Sequence, residues 1–258
     1  MAEERVHEEL LESGTLLRLV LDRPTGNILT SGLMEQLGHA LASHQNEPSL
    51  HMVVLQGAGG QFSWGASVEE HRKPSAPGML HALSRLVRNL AHYPVPVAAL
   101  VEGRCLGGGF ELVLACHLVF TTPDAQMGCP EIKLGVFPPV LAALGPWRLG
   151  GALSDRLVLT GEPLTAAAAH ACGFSAAILD GKDPFAQFTD WYRKGPLRMS
   201  AAALRTAAQA VRAGSESLLG ARLDELEQLY LDRVLGSHDG NEGIEAFIAR
   251  RAPVWEDA

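Results

Sequence analysis

Two glutamates stand where carboxylates are costly. Glu111 lies within FELVLACHLVF, and Glu131 follows Pro130 in MGCPEIKLGVFPP, each among apolar neighbours. A carboxylate in such a run must be paired, hydrogen-bonded or protonated. The two are 20 residues apart, so different elements can bring them to one pocket. Two carboxyls sharing a dry site, with their pKa values pushed apart, divide acid and base work between them. Ordinary salt bridges would satisfy the same residues, and periodicity alone leaves both readings open.

Just before Glu111 stands Gly107-Gly108-Gly109. Three glycines permit a tight turn and a close backbone approach. They also leave free N–H groups at a helix start, where negative charge is favoured. A packing turn is the competing reading. Phosphate cradling is the weaker one, because no Lys-Ser/Thr follows and GGGFE does not complete GxGxxG. A second glycine-bearing loop, Gln61-Phe62-Ser63-Trp64-Gly65-Ala66-Ser67, follows a strand-like run. N–H groups from two such loops, converging on one carbonyl oxygen, would form an oxyanion hole.

Other chemistries find less support. The ten histidines show no HExxH and no zinc spacing, so no metal is expected. There is no GxSxG elbow. Cys105, Cys116, Cys129 and Cys172 form no CxxC pair and read as buried small hydrophobes in a reducing, cytoplasmic setting. His71 is either a pocket residue or part of a solvated helix start, and His117 is expected to satisfy carbonyls at a helix end. Lys and Arg number 21 against 29 Asp and Glu, a net charge of −8, which speaks against a nucleic-acid partner. Leu134 to Trp147 is too short for a bilayer and holds three prolines, and the acidic start MAEERVHEELLE lacks the apolar stretch of a signal peptide.

The elements that must hold these residues follow from patterning. Leu17, Leu19 and Leu21 alternate as a strand before Asp22-Arg23-Pro24, and Ser31 is placed to cap a helix carrying Leu33, Leu37, Ala40 and Leu41. Leu50–Gly57, Val95–Gly103 and Leu118–Thr122 read as strands; Leu80 to Leu90 and Leu106–His117 read as helices. Strands alternating with helices predict an α/β fold with largely parallel pairing. Beyond about Pro196 no strand candidate remains, and Leu219, Leu223, Leu226, Tyr230 and Val234 form an apolar stripe suited to core or subunit contact. The chain therefore divides into a core with the active site over 1–195 and a helical region over 196–258.

Taken together these segments resemble the enoyl-CoA hydratase/isomerase (crotonase) superfamily. LDRPTGNILTSGLMEQL is similar to its first strand–loop–helix, QFSWGASVEEH to its first oxyanion loop, and VEGRCLGGGFELVLACHLVFTTPDAQMGCPEIKLGVFPP to its central signature. LTGEPLTAAAAHACGFSAAI and EGIEAFIARRAPVW resemble the later segments. The resemblance implies a spiral of ββα turns with a C-terminal helical trimerisation region, assembled as a homotrimer or homohexamer. It implies acyl-CoA thioester substrates and no cofactor beyond the coenzyme A of the substrate. The oxyanion N–H groups would be those of Ala66 and Gly108; Glu111 and Glu131 would hold water, Glu111 orienting or deprotonating it and Glu131 supplying the proton to carbon.

Two departures bear on the substrate. Ser67 stands where most of the superfamily has Asp, and Gly135-Val136-Phe137-Pro138-Pro139 replaces a glycine-rich segment. GASVEEH with PEIKLGVFPP is similar to the cyclohexa-1,5-diene-1-carbonyl-CoA hydratases. Phe137 and two prolines would form a stiffer, bulkier wall, suited to a flat ring. Linear or branched enoyl-CoA hydration, isomerisation or decarboxylation are the alternatives on the same fold. By resemblance the coenzyme would meet Arg23 to Asn27 and Ser63, Trp64, Gly65 and Ala66, with Arg250 and Arg251 either reaching a phosphate or ending a solvated helix.

Overall fold

The computed structural model describes residues 4–257. In chain order they form β1 (Arg5–Leu11), β2 (Leu16–Asp22), α1 (Ser31–His44), β3 (Met52–Gly57), α2 (Ala76–Ala91), β4 (Val97–Val101), β5 (Arg104–Leu106), α3 (Gly108–Ala115), β6 (Leu118–Thr121) and β7 (Gln126–Gly128). Then come α4 (Pro139–Arg148), α5 (Gly151–Thr160), β8 (Leu164–Thr165), α6 (Ala166–Ala171), β9 (Ala177–Ile178) and α7 (Pro184–Lys194). The chain closes with α8 (Ala201–Arg212), α9 (Ser215–Leu229) and α10 (His238–Ile248). None of the described helices is long and apolar enough to cross a membrane.

The main sheet has the order β1-β2-β3-β4-β6-β9, parallel throughout except for the β1–β2 hairpin. Its middle strands are buried on both faces, which is why they read as continuous apolar runs. Alternation still sorts them. Leu17, Leu19, Leu21, Val53, Leu55, Val97, Ala99 and Val101 enter the core shared with α1, α2 and α3. Leu16, Met52, Val54, Ala98 and Leu100 face the opposite way and pack with Phe188 and Tyr192 of α7. A second, small sheet, β5-β7-β8, stands beside the first.

Local chemistry departs from expectation in two places near the N-terminus. The cap of α1 is Thr30 rather than Ser31: its side chain accepts the Leu33 N–H, while Ser31 donates its own N–H and hydroxyl to Glu70. Residues Arg5–Leu11, with no apolar alternation, nonetheless form an edge strand, because pairing with β2 supplies what side-chain burial does not.

The C-terminal helices fold back on their own chain. Arg88 of α2 pairs with Asp224 of α9, and Arg72 forms a bidentate pair with Glu245 of α10. Gly243 of α10 lies so close to the Leu134 carbonyl that no Cβ would fit. Arg212 of α8 and Arg148 of α4 donate to the carbonyls of Ala115 and Cys116, satisfying the end of α3. That is the task expected of His117, whose Nδ1 instead accepts the Val97 N–H at 3.1 Å. Burial and the nearby Arg212 and Arg148 charges hold His117 down at about 3, so its ring is neutral and free to accept. Cys105, Cys116 and Cys129 are buried as expected, whereas Cys172 is exposed.

Candidate active site

The loop after β3 is fastened on both sides. On one side Leu29 donates to the Gly65 carbonyl and accepts from Ser67 N–H, each at 2.9 Å. On the other, Leu106 N–H reaches the Ser63 carbonyl at 2.8 Å, tying the loop to β5. With residues 65 and 67 turned toward Leu29, the intervening Ala66 N–H points the other way. There it meets the start of α3: a Cβ built on Gly108 would lie 3.4 Å from the Ala66 nitrogen. Gly108 is the first residue of α3, so its N–H has no partner inside the helix. Two backbone donors therefore stand side by side at a positive helix end.

Beneath them the glycines are obligatory. Gly107 has φ +48°, and a Cβ there would come within 2.7 Å of Glu131 Oε1. A Cβ on Gly109 would meet the Ser63 side chain at 2.7 Å. The run brings two loops and a carboxylate to contact distance.

Glu111, 2% exposed on α3, is held at one oxygen: Oε1 accepts the N–H groups of Val140 and Leu141 at 2.8 and 3.1 Å. Those are free donors in the first turn of α4, which Pro138 and Pro139 begin at no hydrogen-bonding cost. The prolines thus serve Glu111. Phe137 lies behind, its ring 5.5 Å from that of Tyr230. Glu131 is half-buried and lines a cleft of about 540 Å³ together with Trp64, Gly65, Ala66, His71, Leu106 and Gly107. Its Oε2 is shielded and meets no hydrogen-bond partner among the described residues. The C-terminal region supplies Gly243, Phe247, Arg251 and Pro253 to the same cleft, so the site extends beyond the 1–195 segment.

The profile of the enoyl-CoA hydratase/isomerase family matches residues 12–258. The chain belongs to that family. It is 39% identical, over 96% of its length and 95% of the relative's, to a cyclohexa-1,5-dienecarbonyl-CoA hydratase of Thauera aromatica. It is 32% identical to a 2,3-dehydroadipyl-CoA hydratase of Escherichia coli K12, over 92% of this chain and 94% of that one. Among solved structures it is similar to an enoyl-CoA hydratase of Mycobacterium avium subsp. paratuberculosis K-10, with TM-score 0.84, 27% identity and 98% of each chain covered. The fold is the crotonase fold, and the protein is an enoyl-CoA hydratase-type enzyme.

In this hydratase-type site both carboxyl pKa values lie above the ordinary carboxylate range. Burial is the main cause for Glu111, opposed by the Leu141 and Val140 N–H groups. For Glu131 burial is joined by the charge of Glu111. The donors on Glu111 favour its anion, and Glu131, beside that charge, is the better place for a proton. The His71 ring N–H donates to the Ser67 carbonyl at 2.8 Å, and burial lowers its pKa, so a neutral imidazole lines the cleft.

The coenzyme-contact candidates separate. Trp64 lines the cleft, covers Gly26 and lies under the Arg104 guanidinium, 5.2 Å from its ring. Asn27 and Ser63 do not line it. Asn27 Nδ2 donates to the carbonyls of Ala58, Gln61 and Phe62, and Ser63 Oγ donates to the Asn27 carbonyl. Their polar atoms are spent on locking the loops. Arg23 is paired with Glu4, and Arg251 reaches the cleft while bound to Glu242; Arg250 does not line it. Ser67, in place of the usual Asp, donates to Glu69. Sequence patterning places Tyr230 in an apolar stripe and offers nothing for the Val140 and Leu141 amides. The signal in the sequence is the tyrosine itself, whose hydroxyl needs a partner when an apolar stripe buries it.

Proposed function

We propose that this enzyme adds water to a conjugated, cyclic enoyl-CoA thioester, cyclohexa-1,5-diene-1-carbonyl-CoA, in the breakdown of reduced aromatic rings. The observation that carries the reading is the juxtaposition of the anchored Glu111 and the unpartnered Glu131 oxygen with the Ala66 and Gly108 donors. The thioester oxygen lies between the two N–H groups. Glu111 takes a proton from water as its oxygen attacks the conjugated carbon, and negative charge moves onto the thioester oxygen. Fixed donors hold that charge more strongly in the transition state than in the ground state. Glu131 then delivers its proton to carbon. In a ring diene the charge spreads over the second double bond, so the far end of the diene is a second site for that proton. These steps call on no group besides the chain and the coenzyme A thioester.

The 39% identity to the Thauera aromatica hydratase supports the ring substrate. Trp64, with Arg104 beside it, and Arg251 at the cleft are the residues we assign to the coenzyme. We assign the enzyme to the cytoplasm as a homotrimer or homohexamer; the apolar groove lined by Trp147 and Leu218 supports a subunit contact. The deciding experiment incubates the protein with cyclohexa-1,5-diene-1-carbonyl-CoA and crotonyl-CoA and follows mass. A gain of one water on the ring thioester alone is expected; fast hydration of crotonyl-CoA alone would reassign the substrate to linear acyl-CoA.

A further inference from the structure

Tyr230 follows α9, in a single π turn spanning Tyr230–Val234, where the Leu235 N–H reaches back to the Tyr230 carbonyl at 3.1 Å. Such turns widen a helix by one residue and recur at functional sites. The side chain is 1% exposed, yet its hydroxyl has no hydrogen-bond partner among the described residues. A buried phenol oxygen in that state is costly unless something else in the working enzyme engages it. Its ring packs against Phe137, in the 131–139 segment that carries Glu131 at one end and begins the helix holding Glu111 at the other.

We propose that Tyr230 is a third catalytic residue of the site, donating its O–H to the oxygen that is added to, or lost from, the substrate. The inference rests on the hydratase reading above and deepens it. Tyr230 Oη and Glu131 Oε2 are both buried without a partner among the described residues. Phe137, on which the Tyr230 ring packs, lies in the chain between Glu131 and the Val140 that holds Glu111. Burial and the charges of Glu131 and Glu111 raise the phenol pKa, so Tyr230 keeps its proton and has an O–H to donate. The carboxylates supply acceptors and the phenol supplies the complementary donor, so a water or product hydroxyl is oriented for transfer rather than merely confined.

Tyr230→Phe keeps the ring against Phe137 and removes only the hydroxyl. Hydration is measured with whichever of cyclohexa-1,5-diene-1-carbonyl-CoA and crotonyl-CoA the wild type turns over faster. Competitive inhibition by cyclohexane-1-carbonyl-CoA, which carries neither double bond nor hydroxyl, reports packing. We expect kcat to fall about tenfold or more, the scale of one buried hydrogen bond to a reacting group. The inhibition constant should stay within about twofold and Tm should not fall, since a buried hydroxyl without a partner does not stabilise the free fold. An unchanged kcat, or a loss matched by weaker inhibitor binding and lower Tm, overturns the proposal. Glu111→Gln in the same series separates the two levels: if it is inactive while Tyr230→Phe is normal, only the tyrosine role fails. If Glu111→Gln is fully active, the hydration mechanism itself fails.

Discussion

Glu111 is anchored to Val140. A carboxylate on α3 accepts the N–H of a residue 29 positions later, at 2.8 Å, and takes the Leu141 N–H as well. One oxygen is thereby fixed against a helix start; in the proposed mechanism the other acts on water. The anchoring also explains why Pro138 and Pro139 precede these residues: they begin α4 and leave its first free donors to Glu111.

Replacing either glutamate should remove proton transfer without disturbing the cleft. Glu111→Gln and Glu131→Gln are each expected to lower kcat by about 100-fold or more, the range of general acid–base catalysis. Steady-state hydration kinetics check this, and near-normal turnover in both variants would dismiss the mechanism.

Activity should depend on pH as a bell whose limbs both lie above the ordinary carboxylate range. In the proposed mechanism the working state carries one proton on the pair, with Glu111 charged and Glu131 protonated. Falling pH protonates Glu111 and removes the base; rising pH strips Glu131 and removes the acid. A kcat/KM profile with its acid limb near that of a free glutamate would contradict the burial argument.

The same raised pKa values make the site a cost to stability at neutral pH. Native carboxyls bind their protons more tightly than unfolded ones, so their contribution is greatest below the unfolded pKa and is lost as pH rises through the native values. Glu131→Gln should therefore raise Tm at pH 8, by about 2–4 °C for each kcal/mol recovered, and raise it less at pH 5. Scanning calorimetry at the two pH values tests it; an equal shift at both would refute the linkage.

Gly108→Pro tests one of the two proposed oxyanion donors. Position 108 begins α3, where a proline is tolerated, so the main loss is the N–H itself. A fall in kcat of about 100- to 1,000-fold with a folded circular dichroism spectrum is expected. Full activity would place the hole elsewhere.

Arg212→Met should act on stability. The guanidinium satisfies the Ala115 and Cys116 carbonyls at the end of α3, and its loss leaves buried acceptors short of donors, at a cost of about 1–3 kcal/mol. Denaturant titration should show a lower midpoint, with KM for the acyl-CoA unchanged.

Much of this molecule is legible in its sequence. The strands at 52–57, 97–101 and 118–121 and the helices at 31–44, 76–91 and 108–115 follow from apolar periodicity, because each buries a face that its sequence must advertise. Gly107, Gly108, Glu111 and Glu131 stood out because glycine runs and carboxylates in apolar surroundings are locally anomalous. Tertiary structure alone decided the rest. That Asn27 and Ser63 lock loops rather than meet a ligand depends on carbonyls more than 30 residues away. That Arg148 and Arg212 cap the end of α3 while His117 accepts from Val97 depends on which helix packs there. That Val140 and Leu141 hold Glu111, and that Tyr230 packs on Phe137, leaves no trace in residue spacing. Periodicity reports which face of an element is buried; only the packed chain determines which donor meets which acceptor.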